Sequence, residues 1–300
     1  MDGGPESKKT YVVAQTEIAA RPLAPALYLV ATPIGNLADI TLRALETLAA
    51  ADMLACEDTR VTRVLLDRYG IRQRPLTYHE HNAAEAGPRL LGALEAGKSV
   101  ALVSDAGTPL VSDPGFRLVN EALSRGLRVV PVPGPSAVLA ALTASGLPSD
   151  AFLFAGFLPV KDGQRRSRLE ELKAVPATLI FFESPRRLAD TLGAMADVLG
   201  AERQAAIGRE LTKTFEEMRA GTLGSLAGHY AEADTPKGEI VVCVGPPTAQ
   251  PVQATDVDQL LLALANEMPA SKAAAEAARM TGGQKPMLYR RLLELRGQDG

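Results

Sequence analysis

Three short loops rich in glycine and proline each follow an apolar run that predicts a buried strand. They comprise residues 32–36, 104–115 and 133–137. Glycine in such turns lets backbone N–H and C=O groups come close to a ligand, and an open α/β sheet binds ligands at the carboxyl ends of its strands. Any one of these loops alone is better explained as a tight turn. Three of them after neighbouring strands favour a ligand site.

Neither of two common nucleotide-binding motifs is present in its usual context. No Gly-x-Gly-x-x-Gly fingerprint occurs, and the Gly-x-x-x-x-Gly-Lys-Ser pattern at 92–99 precedes a predicted strand instead of following one as a phosphate loop does. Both observations argue against an NAD-dependent dehydrogenase and against a P-loop nucleotidase. Because none of the three ligand loops contains a phosphate-binding lysine, a triphosphate ligand is also disfavoured.

Polar motifs form a second set of candidates. They lie at residues 57–60, 79–82, 183–187, 209–213 and 237–239. Opposite charges at strand ends can be solvated ion pairs of little energetic value, and that alternative stays open for Arg60 and Arg186. His79 and His81 would share one face of a strand, but with His229 as the only other histidine they predict no metal site. A hydrogen-bonding or proton-handling role suits His79 better.

Basic residues are clustered in an otherwise acidic chain. One cluster contains Lys161, Arg165, Arg166 and Arg168, and Arg186 and Arg187 form another. Such clusters are typical of a limited contact with a phosphate backbone, although a solvated helix face explains the first cluster nearly as well.

Apolar runs alternate with helical patterns in a way that predicts two α/β domains. Buried strands are predicted near residues 27–31, 53–56, 100–103 and 129–132, with helices between them. Continuous apolar strands separated by helices favour a mostly parallel sheet. A second series has strands at 152–154, 178–182 and 240–244. The predicted organisation is a flexible leader at 1–26, domains at 27–147 and 151–247, a linker at 248–255 and a helical tail unit at 255–300.

Composition limits the class of protein. The chain has 300 residues, of which 46% are hydrophobic and 22% charged, with a formal net charge of −3. Wholesale disorder and a uniformly basic nucleic-acid-binding surface are therefore excluded. Cys56 and Cys243 are predicted core residues in a reducing compartment. No apolar stretch reaches the roughly 18–20 residues of a membrane span, so a cytoplasmic protein is expected.

Several motifs, in order, resemble one family. They are the segment from Leu29 to Thr41, Cys-Glu-Asp-Thr-Arg at 56–60, Ser-Asp-Ala-Gly-Thr-Pro at 104–109, Pro-Gly-Pro-Ser-Ala at 133–137, Gly-Phe-Leu-Pro at 156–159, Glu-Ser-Pro-x-Arg at 183–187 and Glu-Leu-Thr-Lys at 210–213. Together they resemble the ribosomal RNA small-subunit methyltransferase I family over about residues 27–244. The resemblance implies a tetrapyrrole-methylase-like (class III methyltransferase) fold, with a cleft between two α/β domains and a small C-terminal helical unit.

The same resemblance implies an activity. The expected reaction is S-adenosylmethionine-dependent methylation of a cytidine 2′-hydroxyl in 16S ribosomal RNA of the small ribosomal subunit, carried out by a homodimer. Two alternatives are a tetrapyrrole C-methyltransferase on the same fold and a non-enzymatic ribosome-binding module. To reconcile RNA binding with the acidic charge, we expect basic residues to gather on one surface, among them Arg60, Arg63, the two clusters above and arginines of the tail.

Site residues follow from the matched motifs. Relatives on this fold hold the cofactor with Gly-Asp-Pro, where this chain has Gly-Thr-Pro at 107–109. The expected cofactor residues are Pro33, Ile34, Gly35, Gly107, Thr108, Val111, Ser136, Ala137 and Phe182. The expected catalytic residues are Lys213, Glu57 and Asp58, with Lys213 acting either as a base or as an electrostatic clamp. The expected substrate residues are Arg60, His79, Asn82, Arg186, Arg187, Arg209 and Lys237.

Overall fold

A computed structural model describes residues 9–112, 115–247, 254–281 and 283–297. The chain divides into two compact units, Met1–Pro247 and Thr248–Gly300. Most of the predicted linker, residues 248–253, lies outside the described residues, as do residues 1–8 of the predicted leader. Both predicted α/β domains lie within the first unit.

The predicted leader is wrong for its described part, because residues 10–19 form an antiparallel hairpin of β1 (Thr10–Val13) and β2 (Thr16–Ala19). Tyr11 is buried in the core of the first domain, and Lys9 Nζ donates to the carbonyl of Ala50 at 2.6 Å. The turn residues Ala14 and Gln15 both have positive φ. They lack the Asn-Gly signal that usually marks such a turn, so the sequence pattern gave no indication of the hairpin.

The first domain contains a five-stranded sheet in which every pairing is parallel, as predicted. Its strands are β3 (Leu27–Val30), β4 (Met53–Cys56), β5 (Leu76–Thr77), β6 (Val100–Val103) and β7 (Val129–Val132), in the order β5-β4-β6-β3-β7. The helices that connect and cover them are α1 (Leu42–Ala50), α2 (Thr59–Arg68), α3 (Ala83–Glu95), α4 (Phe116–Ser124) and α5 (Ala137–Ala144). Parallel strands direct all their carboxyl ends, and the loops that follow, to one edge of the sheet.

Polar residues define where three of these helices begin. The side chains of Thr41, Asp58 and Ser136 each accept a backbone N–H from the first turn of α1, α2 and α5 respectively. Such N-caps satisfy donors that have no partner inside the helix. Because Asp58 lies two residues after β4 and Ser136 four residues after β7, the caps also fix the loops at that edge of the sheet.

The second domain has a mixed five-stranded sheet. Its strands are β8 (Phe152–Phe157), β9 (Thr178–Glu183), β10 (Gln204–Arg209), β11 (Glu217–Thr222) and β12 (Ile240–Val244), in the order β11-β10-β12-β9-β8. Only β8 and β9 pair in parallel. Its helices are α6 (Asp162–Leu172), α7 (Leu188–Leu199) and α8 (Leu223–Glu232). The sequence pattern missed β10 and β11, whose small and polar residues produce no continuous apolar run.

A shared apolar cluster joins the two domains of the first unit. Val138 and Leu142 of α5 belong to the same buried cluster as Ile180 of β9 and Cys243 of β12. Both cysteines are free and buried, as predicted. The interface between the domains is therefore a packed core, which holds the loops of both sheets at fixed positions around the space between them.

The second unit is a small helical unit with its own core. It contains α9 (Ala254–Glu267), α10 (Ala270–Thr281) and α11 (Lys285–Gly297). Leu261, Ala273 and Leu292 are completely buried within it. This agrees with the predicted helical tail. In the parts of the chain that the structure describes, no helix has the length and apolar character needed to cross a membrane.

Candidate active site

A cavity of about 520 Å³ lies among loops at the carboxyl edge of the first sheet and loops of the second domain. Its size falls within the roughly 300–1,000 Å³ of typical small-molecule sites. The residues that line it come from both domains: Ile34, Glu57, Asp105, Ala106, Gly107, Thr108, Val111, Ser112, Ser136, Ala137, Val138, Phe157, Phe182, Glu183, Ser184, Pro185, Leu211, Gly238, Glu239, Ile240 and Val241.

The first two predicted ligand loops are fastened to each other beside this cavity. Thr32 and Gly107 exchange two backbone hydrogen bonds, with N···O distances of 2.8 and 3.0 Å. The Ser104 hydroxyl also donates to the Gly107 carbonyl at 3.1 Å. Gly107 has a φ of +82°, and a Cβ there would lie 3.3 Å from Ile34 Cγ2. A side chain at position 107 would therefore strain the backbone and crowd Ile34 in the cavity wall.

Unusual backbone conformations are concentrated in two loops at the cavity. Leu110 and Ser112 of the first domain, and Glu210 and Thr212 of the second, have positive φ although none is glycine. Such conformations cost free energy and tend to persist where the surrounding structure enforces them, often at functional sites. Both loops are thus held in shape by their surroundings.

Four carboxylates line the cavity: Glu57, Asp105, Glu183 and Glu239. Burial raises the pKa of Glu57 above its usual value, and the nearby charge of Asp105 raises it further. Asp105 is held in place, since its Oδ1 accepts the Asp58 N–H at 2.9 Å. Glu183 is almost fully buried and accepts from the Thr191 hydroxyl at 2.7 Å. Glu57 is therefore a carboxylate that can exchange a proton closer to neutral pH than an ordinary glutamate.

Lys213 lies in the loop after β10 and contacts the loop after β3. Its Nζ is 2.7 Å from Glu210 Oε1 and 2.8 Å from Glu239 Oε2. Burial lowers the Lys213 pKa, but hydrogen bonds to Glu210 and then Glu239 outweigh it, so the pKa is raised overall. Its aliphatic part packs over Gly35, where a Cβ would overlap Lys213 Cγ. Lys213 is therefore a fixed cation rather than a free amine.

The structure brings together most of the predicted cofactor residues. Seven of them line the cavity: Ile34, Gly107, Thr108, Val111, Ser136, Ala137 and Phe182. Pro33 and Gly35 are not among the lining residues, and Gly35 contacts Lys213 instead.

Two of the three predicted catalytic residues are at the cavity and the third is not. Glu57 lines the cavity, and Lys213 contacts the lining residue Glu239. Asp58 is not a lining residue, because its carboxylate caps α2 and pairs with Arg60. Hydrogen bonds from the Arg60 side chain lower the pKa of Asp58 to about 2. Asp58 is thus well suited to fix a helix and poorly suited to accept a proton.

None of the predicted substrate residues lines the cavity. Arg187 donates to the carbonyls of Leu158 and Pro159 and lies 3.3 Å from Glu183, so it is committed to the fold. Arg209 pairs with Glu217 on the neighbouring strand. The remaining arginines, Arg60 and Arg186, and Lys237 are exposed at the surface.

His79 and Asn82 form a local turn. The Asn82 side chain accepts the His79 N–H at 2.8 Å, and His79 Nδ1 accepts the Asn82 N–H at 3.2 Å. Among the described residues, no group of three or more His, Cys, Asp or Glu side chains is arranged to hold a metal ion.

Asp105, Glu183 and Glu239 belong to candidate segments of the sequence, but none was among the predicted site residues, although all three line the cavity. Only their positions relative to the strands could have indicated them: Asp105 follows β6, Glu183 ends β9, and Glu239 directly precedes β12. The first two lie where α/β sheets bind ligands. Glu239 reaches the site because β12 runs antiparallel to β9, a pairing that the sequence does not disclose.

Two family models match the chain. Residues 26–227 match the model described as Tetrapyrrole (Corrin/Porphyrin) Methylases, and residues 251–296 match the RsmI C-terminal HTH domain. Among solved structures, uroporphyrin-III C-methyl transferase from Thermus thermophilus complexed with S-adenyl homocysteine aligns with a TM-score of 0.51 at 21% identity, covering 73% of this chain and 96% of that one. A diphthine synthase aligns with a TM-score of 0.57 at 16% identity, covering 73% and 90%. These structures establish the predicted fold.

Curated relatives are much more similar in sequence. The Ribosomal RNA small subunit methyltransferase I of Mesorhizobium japonicum is 78% identical over 96% of this chain and 98% of its own length. The protein of the same name from Pseudomonas aeruginosa is 48% identical over 91% and 98%. The chain is accordingly a methyltransferase whose methyl donor is S-adenosylmethionine. From these matches it follows that the chain belongs to the ribosomal RNA small subunit methyltransferase I family, on the tetrapyrrole methylase fold.

Proposed function

We propose that this enzyme methylates the 2′-hydroxyl of a cytidine in 16S ribosomal RNA within the small ribosomal subunit. The names of its relatives support ribosomal RNA as the substrate. The observation that carries the choice of a hydroxyl acceptor is the pair of groups at the cavity: a carboxylate with a raised pKa, Glu57, and a fixed cation, Lys213. A ribose hydroxyl is a weak acid, so its reaction needs both a proton acceptor and a stabilising charge.

The cavity fits the methyl donor. Apolar side chains such as Ile34, Leu211 and Val241 suit an adenine ring, and backbone groups exposed by Gly107 can hydrogen-bond to polar parts of the molecule. We assign its binding to the seven lining residues that the sequence predicted, from Ile34 to Phe182. When bound, S-adenosylmethionine supplies a methyl group already activated by a sulfonium.

Glu57 is the residue that we assign as proton acceptor. Its carboxylate oxygen would take the proton that the 2′-hydroxyl loses when its oxygen receives the methyl group and the donor's methyl–sulfur bond breaks. The raised pKa makes this carboxylate a stronger base than an exposed glutamate. Asp58 is less suitable, because Arg60 holds its pKa at about 2.

The sequence left two roles open for Lys213, a base or an electrostatic clamp. We assign it the role of electrostatic clamp. An amine that accepts a proton must first lose its own, and the ion pairs with Glu210 and Glu239 oppose that loss. The ammonium group instead stabilises the negative charge that develops on the acceptor oxygen. Glu210 and Glu239 hold it in position.

The working form is proposed to be a homodimer. Large apolar side chains are exposed in the single chain: Phe157, which lines the cavity, is 58% exposed, Phe215 72% and Leu139 50%. Exposed apolar surface of this kind is typical of protein interfaces. A second copy of the chain would cover these side chains. Light scattering should accordingly give twice the mass of one chain.

Labelling of the substrate tests the activity. Small subunits that lack the modification are incubated with S-adenosylmethionine labelled on its methyl group, and the labelled nucleoside is then identified. We expect 2′-O-methylcytidine from the wild-type enzyme and at least 100-fold slower labelling from Glu57→Gln. A base-methylated nucleoside would overturn the hydroxyl assignment. Label in an added uroporphyrinogen rather than in RNA would favour the tetrapyrrole alternative.

A further inference from the structure

The segment from α2 to β5 is strongly basic. Residues 59–75 contain five arginines, Arg60, Arg63, Arg68, Arg72 and Arg74, and a single acid, Asp67, in a chain whose net charge is −3. All five arginines are exposed. Of these five, only Arg60 and Arg63 are among the basic residues expected from the sequence to face the RNA.

The fold brings four of these arginines together in two adjoining surface depressions. The first is lined by Thr59, Arg60, Arg63, Arg74 and Pro75. The second is lined by Arg63, Arg72 and Arg74 together with residues of the hairpin and the end of α2. Because Arg63 and Arg74 line both, the depressions form one continuous feature, which we call the α2 groove. Glu17 and Asp67 are the only carboxylates among its lining residues.

Charge in the α2 groove is incompletely neutralised. Arg72 and Arg74 have no carboxylate within 4.0 Å among the described residues, and the contact between Arg63 and Asp67 is 4.0 Å long. The basic cluster on α6, which the sequence also offered as a phosphate contact, differs. Arg165, Arg166 and Arg168 each pair with a carboxylate at 2.7, 2.9 and 2.6 Å. The α2 groove is therefore the better anion-binding surface of the two.

The α2 groove begins next to the active-site cavity. Thr59 is two residues after Glu57, which lines the cavity, and Asp58 between them donates its N–H to the cavity residue Asp105. A chain molecule whose reacting group lies beside Glu57 can thus continue directly into the groove. Arginine suits such a contact, since its planar guanidinium binds phosphate through two parallel hydrogen bonds.

We propose that the α2 groove binds backbone phosphates of the RNA strand next to the acceptor nucleotide. The identification of that strand as ribosomal RNA rests on the proposed function, whereas binding of an RNA backbone to the groove does not. Contacts of this type position a substrate without reading its sequence. Arg72 and Arg74 are the residues that bear this role most directly, since both are exposed and neither belongs to the cavity.

The test compares two double variants of the full chain. Arg72→Ala with Arg74→Ala removes two charges from the α2 groove. Arg125→Ala with Arg128→Ala removes two exposed arginines just before β7, at the opposite edge of the same sheet. Binding of a fluorescent single-stranded oligonucleotide with a small-subunit RNA sequence is measured between 50 and 200 mM salt, a range in which phosphate contacts dominate the affinity. Affinity for S-adenosylmethionine and thermal unfolding are measured in parallel.

We expect the Arg72/Arg74 variant to bind RNA about tenfold more weakly at ~0.1 M salt, with a salt dependence reduced by about 1.4 in the log–log slope. Its affinity for S-adenosylmethionine and its unfolding should equal those of the wild type, and the Arg125/Arg128 variant should bind RNA normally. Unchanged RNA affinity and slope in the Arg72/Arg74 variant would overturn the proposal. Binding to whole small subunits is measured alongside, and a loss that appears only there would also overturn the proposal, since the groove would then bind an acidic protein. Because no methyl transfer is measured, failure here is distinct from failure of the proposed activity.

Discussion

At the scale of single residues, Arg187 shows how an arginine with the right chemistry for RNA can be committed to the fold. Its guanidinium donates to the carbonyls of Leu158 and Pro159 and lies beside the buried carboxylate of Glu183. Its neighbour Arg186 is exposed. The sequence could not separate the two, because both belong to one motif and only the packing decides which one turns inward.

Arg187→Ala should lower the free energy of unfolding by about 2 kcal/mol, because the substitution leaves the buried Glu183 without its charged partner. Urea denaturation measures the effect. Arg186→Ala is the matched control and should change stability by less than about 0.5 kcal/mol. Equal stability of the two variants would show that the Arg187–Glu183 contact contributes nothing to the fold.

The pH dependence of methyl transfer should report Glu57. A proton acceptor must be ionised, so the rate falls as the pH drops through the Glu57 pKa, which burial raises above that of an ordinary glutamate. Asp105→Asn removes the neighbouring charge that also raises this pKa. The acid limb of the rate profile should therefore move to lower pH in that variant. A limb that stays in place after Asp105→Asn would exclude Glu57 as its origin.

At the scale of elements, the site depends on loops from two sheets that touch each other. The loop after β3 contributes Gly35, and the loop after β10 places Lys213 against it. Neither loop alone fixes the lysine, because its carboxylate partners Glu210 and Glu239 come from the second domain while its aliphatic part rests on the first. The position of Lys213 therefore depends on how the two loops pack against each other.

Gly35→Ala should slow methyl transfer by about 100-fold while the protein remains folded. The new Cβ would overlap Lys213 Cγ, so the lysine must move away and misplace its charge. Single-turnover rates together with circular dichroism separate the two effects. Gly163→Ala, at a helix position with open space around it, should keep the wild-type rate. Full activity of Gly35→Ala would mean that Lys213 has no part in catalysis.

Elements with a strong local pattern could be predicted from the sequence, whereas those defined by distant contacts could not. The apolar runs at 27–31 and 100–103 gave parallel strands, and the loops after them contribute seven of the 21 residues that line the cavity. The hairpin at 10–19 and the strand β11 consist of mixed residues that become strands only through their partners. Glu239 joins the site for the same reason, since its location depends on antiparallel pairing of β12.

At the scale of the whole molecule, the chain has two units with separate cores. The four large apolar clusters that contain the sheets lie wholly within residues 11–244, and the helical unit has a cluster of its own. A unit that buries its own core can fold alone. All the residues that line the active-site cavity belong to the first unit.

A chain shortened to residues 1–247 should therefore fold cooperatively and bind S-adenosylmethionine with the affinity of the full chain. Calorimetry measures both its unfolding and its binding. Any loss of RNA affinity in the shortened chain then gives the contribution of the helical unit. Failure of residues 1–247 to bind S-adenosylmethionine would show that the cavity needs the second unit.

The two cysteines provide one more consequence. Cys56 ends β4 in the first sheet, and Cys243 lies in β12 of the second; both are completely buried, and burial raises the pKa of Cys243 to about 12. Neither thiol can react with an alkylating reagent until its own sheet opens. In a variant that retains only one of the two cysteines, the rate of thiol alkylation therefore reports how often the sheet that holds that cysteine opens. Comparing these rates with and without the methyl donor would show which of the two domains is stabilised by its binding.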